Sequence, residues 1–174
     1  MKKPQTFILA WEVVTFVVVA AYLWLGYSHL PIETGGLETA AARVGFSASW
    51  LVIPSLSLVI GILSVMYQRF VTDSIDPLAG ADEDNATLQV LRRYLQNTVE
   101  QLVFYGAAHL SFAAVVEPEL MKLVPLFAAL FLFARVVFLL GYLRSPMWRT
   151  PGYALTFYPT LVVALYASYR LVVG

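Results

Sequence analysis

An all-α integral membrane protein with five transmembrane helices is the fold class this 174-residue sequence predicts. Three observations predict it. Hydrophobic residues make up 60% of the chain and charged residues 13%, giving a mean hydropathy of +0.74, beyond what a dispersed soluble domain carries. The apolar residues come in long blocks and not at the two- or 3.6-residue periods of half-buried elements. Five of those blocks reach the roughly 20 residues needed to cross a hydrocarbon core about 30 Å thick.

The first block, residues 7–27, follows Met1-Lys2-Lys3 as a signal peptide would. It is longer than an h-region of roughly 7–15 residues, and no clear small-x-small cleavage site follows, so a retained helix is expected. The second block spans 44–67. A polar connection from Gln68 to about Leu91 comes next, holding Asp73, Asp76, Asp82, Glu83 and Asp84 with Pro77 and Gly80. This is the chemistry of a solvated loop, with Asp84 or Asn85 able to cap the following helix. Its carboxylates lack EF-hand spacing, so no metal site is expected there. Blocks three and four, 95–116 and 123–143, are separated by Glu117-Pro118-Glu119 and a few neighbours, which predicts an antiparallel hairpin broken at Pro118. Before the fifth block, 153–173, Thr150 is an N-cap candidate with Pro151 at the first helical position.

Basic residues orient the bundle. With the N-terminus cytoplasmic, that side receives Lys2, Lys3, Arg69, Arg92, Arg93, Arg144 and Arg149, and the far side Arg43, Lys122 and Arg170. The excess predicts a cytoplasmic N-terminus and a C-terminus on the opposite side. Lys+Arg and Asp+Glu balance at 11 each with no basic run, so nucleic acid is not an expected partner. A chain without cysteine has no disulfide, thiolate metal site or cysteine nucleophile. Any thiol chemistry must use a thiol brought by the ligand.

Ionised side chains inside a spanning helix cost about 2.5 to 3.5 kcal/mol each on insertion scales, so each present asks for a reason. Glu12, Glu100, His109 and Arg135 are the four that do. Arg93, Asn97 and Glu100 recur at i, i+4 and i+7, hence on one helix face; Arg135, Phe138 and Tyr142 do the same at i, i+3 and i+7 on the next helix. Glu100 and Arg135 lie at similar depth, and a structural ion pair across the hairpin is expected. Arg149, just ahead of a helix N-terminus, reads as an anion or thiolate site, with Tyr142 and Tyr153 at the same level, the alternative being a positive-inside anchor at the headgroups such as Arg144. His109 faces away from Glu100 and reads as an interhelical hydrogen-bond partner. Glu12 is assigned no function.

Taken together, Arg93-x-x-x-Asn97-x-x-Glu100, Arg135-x-x-Phe138-x-x-Gly141-Tyr142, Arg144-Ser145 and Arg149-x-Pro151-x-Tyr153 resemble the MAPEG family, the membrane-associated proteins in eicosanoid and glutathione metabolism. The likeness runs over residues 44–173, so the chain divides into an extra N-terminal helix and loop, 1–43, and a MAPEG-like four-helix domain, 44–174. It implies a homotrimer that binds glutathione between subunits near the cytoplasmic face. By position, Arg93, Asn97, Glu100, Tyr142 and Tyr153 look like glutathione contacts, and Arg69 is a looser match to the first-loop arginine. Arg149 is similar to the thiolate-stabilising arginine of the leukotriene C synthase branch, whose seven-residue distance from Tyr142 it shares.

That resemblance implies a glutathione S-transferase or peroxidase whose second substrate is a lipophilic electrophile or hydroperoxide arriving from the bilayer. Departures from the family motif support an alternative, a non-catalytic lipid-binding or scaffold protein on the same fold. Phe138 and Gln101 stand where the leukotriene branch has tyrosines, and Gln96 stands where the prostaglandin E synthase branch has arginine. A small carrier using Glu100, Arg135 and His109 is a third possibility, disfavoured because the five unequal blocks show no inverted repeat.

Overall fold

A computed structural model of the chain describes residues 3–72 and 85–174. The acidic run at 73–84, and with it the question of a cation site, lies outside the described residues. Among these, six α-helices follow one another: α1 Lys3–His29, α2 Ala40–Trp50, α3 Val52–Val71, α4 Ala86–Val115, α5 Leu123–Arg144 and α6 Thr150–Val173. Short 3-10 turns at Pro118–Lys122 and Pro146–Arg149 lead directly into α5 and α6.

Each predicted block becomes helical, with three differences of detail. The second span is α2 and α3 in succession, because Pro54 has no N–H to offer the Trp50 carbonyl and the ladder is interrupted at Leu51. Helix α4 begins well before residue 95: Asn85 caps it, its side chain accepting from Leu88 N at 2.8 Å, and buried Leu88, Leu91 and Tyr94 carry the inner face past the apolar block. Thr150 is not the N-cap of α6, since the preceding 3-10 turn already places Arg149 in helical conformation and the helix starts at Thr150.

By length and hydropathy, α1, the α2–α3 pair, and the segments Pro118–Arg144 and Pro146–Val173 qualify as membrane spans. The fifth crossing is α4, 30 residues long, whose hydropathy is lowered by the polar side chains that make it interesting. Outward-facing Val13, Val17, Leu63, Phe70, Val103 and Val172 are all largely exposed, a surface suited to lipid.

Packing centres on α4, α5 and α6, with α3 against α4 and α5, and α1 laid on α6 and α5. One apolar cluster gathers Tyr105, Phe112, Met121, Phe127, Phe131 and Val163. At the same end of α4 as that cluster, Arg43 donates from Nε to Ala113 O at 3.0 Å and from Nη2 to Ala114 O at 3.4 Å, occupying carbonyls that a helix C-terminus leaves open. Glu117 pairs with Arg170 at 2.7 Å nearby, and that hydrogen bond holds the Glu117 carboxyl below its ordinary pKa.

His109 is buried and bonds within its own helix. Its Nδ1 donates to Tyr105 O at 2.9 Å, and its ring stacks on Tyr105 at 3.7 Å. The expected interhelical hydrogen bond is replaced by aromatic packing with Phe127, 5.2 Å away on α5.

Candidate functional site

At the other end of the bundle a second cluster packs Leu91 and Tyr94 of α4 against Phe138, Leu139 and Tyr142 of α5. A cavity of about 440 Å³ opens above it, within the usual range for small-molecule sites. Arg93 and Asn97 reach it from α4, Phe138 and Tyr142 from α5, and Arg149, Thr150, Tyr153 and Tyr158 from the start of α6 and the turn before it. Ile8 and Glu12 of α1 complete the lining.

Of the residues singled out in the sequence, Arg93, Asn97, Tyr142, Arg149 and Tyr153 converge on this cavity, while Glu100 and Arg69 are not among its lining. Glu100 is exposed on α4, its Oε1 accepting from Gln96 Nε2 at 2.9 Å. The predicted Glu100–Arg135 ion pair is therefore corrected. Arg135 has no exposed surface, and its Nη2 donates to Asn97 Oδ1 and Thr98 Oγ1, both at 3.0 Å. The reason is helical phase: α4 buries Leu91, Tyr94, Thr98, Gln101 and Tyr105, and Glu100 lies about 200° around the helix from Thr98.

Arg135 thus sits beneath the cavity without a carboxylate partner among the described residues. Its guanidinium lies 4.3 Å from the Phe138 ring centre and 5.3 Å from that of Tyr94, so aromatic faces supply part of what a counter-ion would. Nε and Nη1 remain without hydrogen-bond partners. The side chain fixes Asn97 and the Phe138 ring, two of the cavity's surfaces, and adds positive potential below them.

A buried cation this poorly compensated stabilises the fold little. Arg135→Met keeps the length of the side chain and removes the charge. Thr98 Oγ1 still donates to Tyr94 O at 2.7 Å, and half-buried Asn97 faces the cavity and its water. Detergent-solubilised Arg135→Met is expected to melt no more than about 2 °C below the parent. A large loss of melting temperature would mean that Arg135 serves the fold and not the cavity.

Two more guanidiniums face the cavity itself. Arg149 lies over the Tyr142 ring at 5.0 Å, and neither it nor Arg93 has an ion-pair partner among the described residues. Arg144 points elsewhere, over Trp148 at 5.4 Å and along an apolar cleft of about 490 Å³ between α1 and α5. A smaller apolar recess of about 200 Å³, lined by Phe16, Val19, Leu23 and Phe127, shares Tyr158 with the polar cavity.

Sequence reasoning missed Tyr158 and gave Glu12 no role. The signal for Glu12 was an ionised residue at the depth of Arg149. The signal for Tyr158 was weaker, a second tyrosine little more than one turn beyond Tyr153 on the same helix.

A polytopic bundle of membrane helices, holding at one end a cavity lined by two guanidiniums, defines the class of protein. The chain belongs to the MAPEG family, whose sequence model matches residues 44–169. It is similar to transmembrane protein 79 of Mus musculus, at 22% identity over 161 residues that cover 92% of this chain and 40% of that protein. The same protein of Bos taurus is 24% identical over 157 residues, covering 90% and 39% respectively. The chain thus spans about two-fifths of the length of these relatives. No solved structure matches it.

Proposed function

We propose that this protein is a membrane-bound, glutathione-dependent transferase or peroxidase acting on a lipophilic electrophile or hydroperoxide. The observation that carries the reading is the convergence of Arg93, Asn97, Tyr142, Arg149 and Tyr153 on one cavity of about 440 Å³. Glutathione is a flexible tripeptide with two carboxylates, an ammonium and a thiol. The lining suits it: Arg93 and Arg149 provide cations for anionic groups, Asn97 and the tyrosine hydroxyls provide neutral hydrogen bonds, and Glu12 is the counterpart for a cation.

In this reading Arg149 has the catalytic role. A thiol near pKa 8.5 is only a few per cent thiolate at neutral pH, and the thiolate is the nucleophile. A guanidinium beside the N-terminus of α6 favours the ionised sulfur, and a two-unit depression corresponds to about 2.7 kcal/mol. Tyr142, under Arg149, keeps that guanidinium in place. The apolar recess that shares Tyr158 with the cavity would seat the second substrate coming from the bilayer. As the basic-residue count suggests, the cavity would open to the cytoplasm. A homotrimer would bring Arg69 and exposed Glu100 to a subunit boundary, giving a role to the two predicted residues that one chain leaves outside its cavity.

A second reading, a lipid-binding or scaffold protein without catalysis, draws on Phe138 and Gln101. Phe138 brings no hydroxyl to the cavity floor, and Gln101 is buried with its Oε1 unpartnered. Thermal shift separates the two readings. The catalytic one expects millimolar glutathione or S-methyl glutathione to raise the melting temperature by several degrees, at about 2 to 4 °C per kcal/mol of binding linkage, and Asn97→Ala to abolish the shift. No shift at millimolar glutathione favours the scaffold.

A further inference from the structure

The cavity contains a group that belongs to none of the MAPEG-like motifs. Glu12 lies on α1, the helix ahead of the family-matched residues 44–169, and among the described residues it is the one carboxylate in the lining. It is half-buried, at the level of Arg93 and Arg149, where an ionised side chain needs a reason. Tyr158 donates to its Oε1 at 2.8 Å, which aims the carboxylate, and Oε2 has no protein partner among the described residues.

Its position is fixed from both sides. Phe7 and Trp11 pack edge-on against Trp148 at 5.5 and 6.2 Å, and Trp148 immediately precedes Arg149. Phe16 lies 5.2 Å from the Tyr158 ring. The register of α1 is thereby tied to the segment carrying Arg149, so Glu12 faces the two arginines across the cavity. Glu100, the acidic residue that the family motif offered for ligand contact, is turned out of it.

We propose that Glu12 is a specificity-determining residue that binds the ammonium of an amphoteric thiol peptide, one of whose carboxylates lies on Arg93 while its sulfur lies at Arg149. The extra helix α1 then acts as a wall of the site supplied by the chain itself. Two cations facing one carboxylate favour a ligand carrying charges of both signs, each of whose groups then meets an opposite charge. A lipid phosphate or a fatty acid would satisfy the arginines and leave Glu12 unmet. The inference rests on the proposed glutathione reading and adds which end of the ligand meets α1.

Calorimetry on the full chain in nanodiscs tests it, with glutathione and N-acetyl glutathione as probes, the acetyl group removing the ammonium charge. The parent protein is expected to bind glutathione about tenfold more tightly than the acetylated form. Glu12→Gln is expected to lose that preference, weakening glutathione about tenfold and leaving N-acetyl glutathione within about twofold. If Glu12 only ties α1 to Tyr158, both ligands weaken together in Glu12→Gln, and the proposal is overturned while glutathione binding stands. Equal affinity of the parent for the two ligands overturns it even if the variant does not fold. No binding of glutathione by the parent removes both this inference and the functional reading beneath it.

Discussion

If the proposed role of Arg149 holds, Arg149→Ala is expected to reduce conjugation of glutathione to a generic electrophile about twenty-fivefold at pH 7, with a deficit that shrinks to less than about twofold at pH 9. The pH dependence follows from the ionisation of the thiol. If the arginine lowers a thiol pKa of about 8.5 by two units, the thiolate fraction at pH 7 rises from about 3% to about three-quarters. Above pH 8.5 the thiol ionises unaided, and the arginine has little left to contribute. Arg144→Ala is the internal comparison, because Arg144 belongs to the same basic connection but lies over Trp148 beside the apolar cleft. It is expected to change turnover less than about twofold, as substitutions away from named interactions generally do. Equal losses from the two substitutions would sink the role given to Arg149. A deficit that stays constant from pH 7 to pH 9 would reassign Arg149 to ligand binding.

The sequence distinguishes these two arginines only partly. Spacing puts Arg149 seven residues beyond Tyr142 and ahead of Pro151, but whether a guanidinium points into a cavity depends on the turn at Pro146–Arg149 and on what packs against it. Apolar blocks located every span because lipid demands length and hydropathy, both readable one residue at a time. Taken alone they begin α4 too late, since Leu88, Leu91 and Tyr94 are buried between polar neighbours, and it is the cap candidate Asn85 that marks the start. A shared face likewise put Arg93, Asn97 and Glu100 together, yet the cavity takes the first two and not the third. Pairing Glu100 with Arg135 used depth alone and ignored the rotational phase of α5 against α4. Thr98, one residue from the chosen face, is where that phase directs the guanidinium. Glu12 was harder to interpret because its partners, Tyr158 and the cavity, are 146 residues away in sequence.

A single methyl group at residue 152 is expected to do severe damage to the site. A Cβ there would fall well inside contact distance of the Phe138 backbone N and Cα, so nothing flexible can yield, and α5 and α6 must separate. Overpacking ordinarily costs about 1–3 kcal/mol, and a clash between two backbones belongs at the upper end. Gly152→Ala should therefore lower the melting temperature by about 6 to 12 °C. Gly106→Ala provides the opposite expectation. A Cβ at 106 meets nothing within 4 Å, and replacing a mid-helix glycine gains about 0.5 to 1 kcal/mol. The consequence of the first substitution extends to the cavity. Gly152 precedes Tyr153, and its contact is the backbone of Phe138, so separating the helices moves the cavity floor away from the wall that carries Tyr153 and Arg149. Glutathione affinity should fall at least tenfold in Gly152→Ala, even at a temperature where the variant remains folded, and should be unchanged in Gly106→Ala. Should Gly152→Ala melt and bind like Gly106→Ala, the close approach of α5 and α6 would not be what holds the site together. The chemistry proposed for Arg149 depends on that approach, because the packing of one helix backbone on the other sets the register of the α5 and α6 residues that line the cavity.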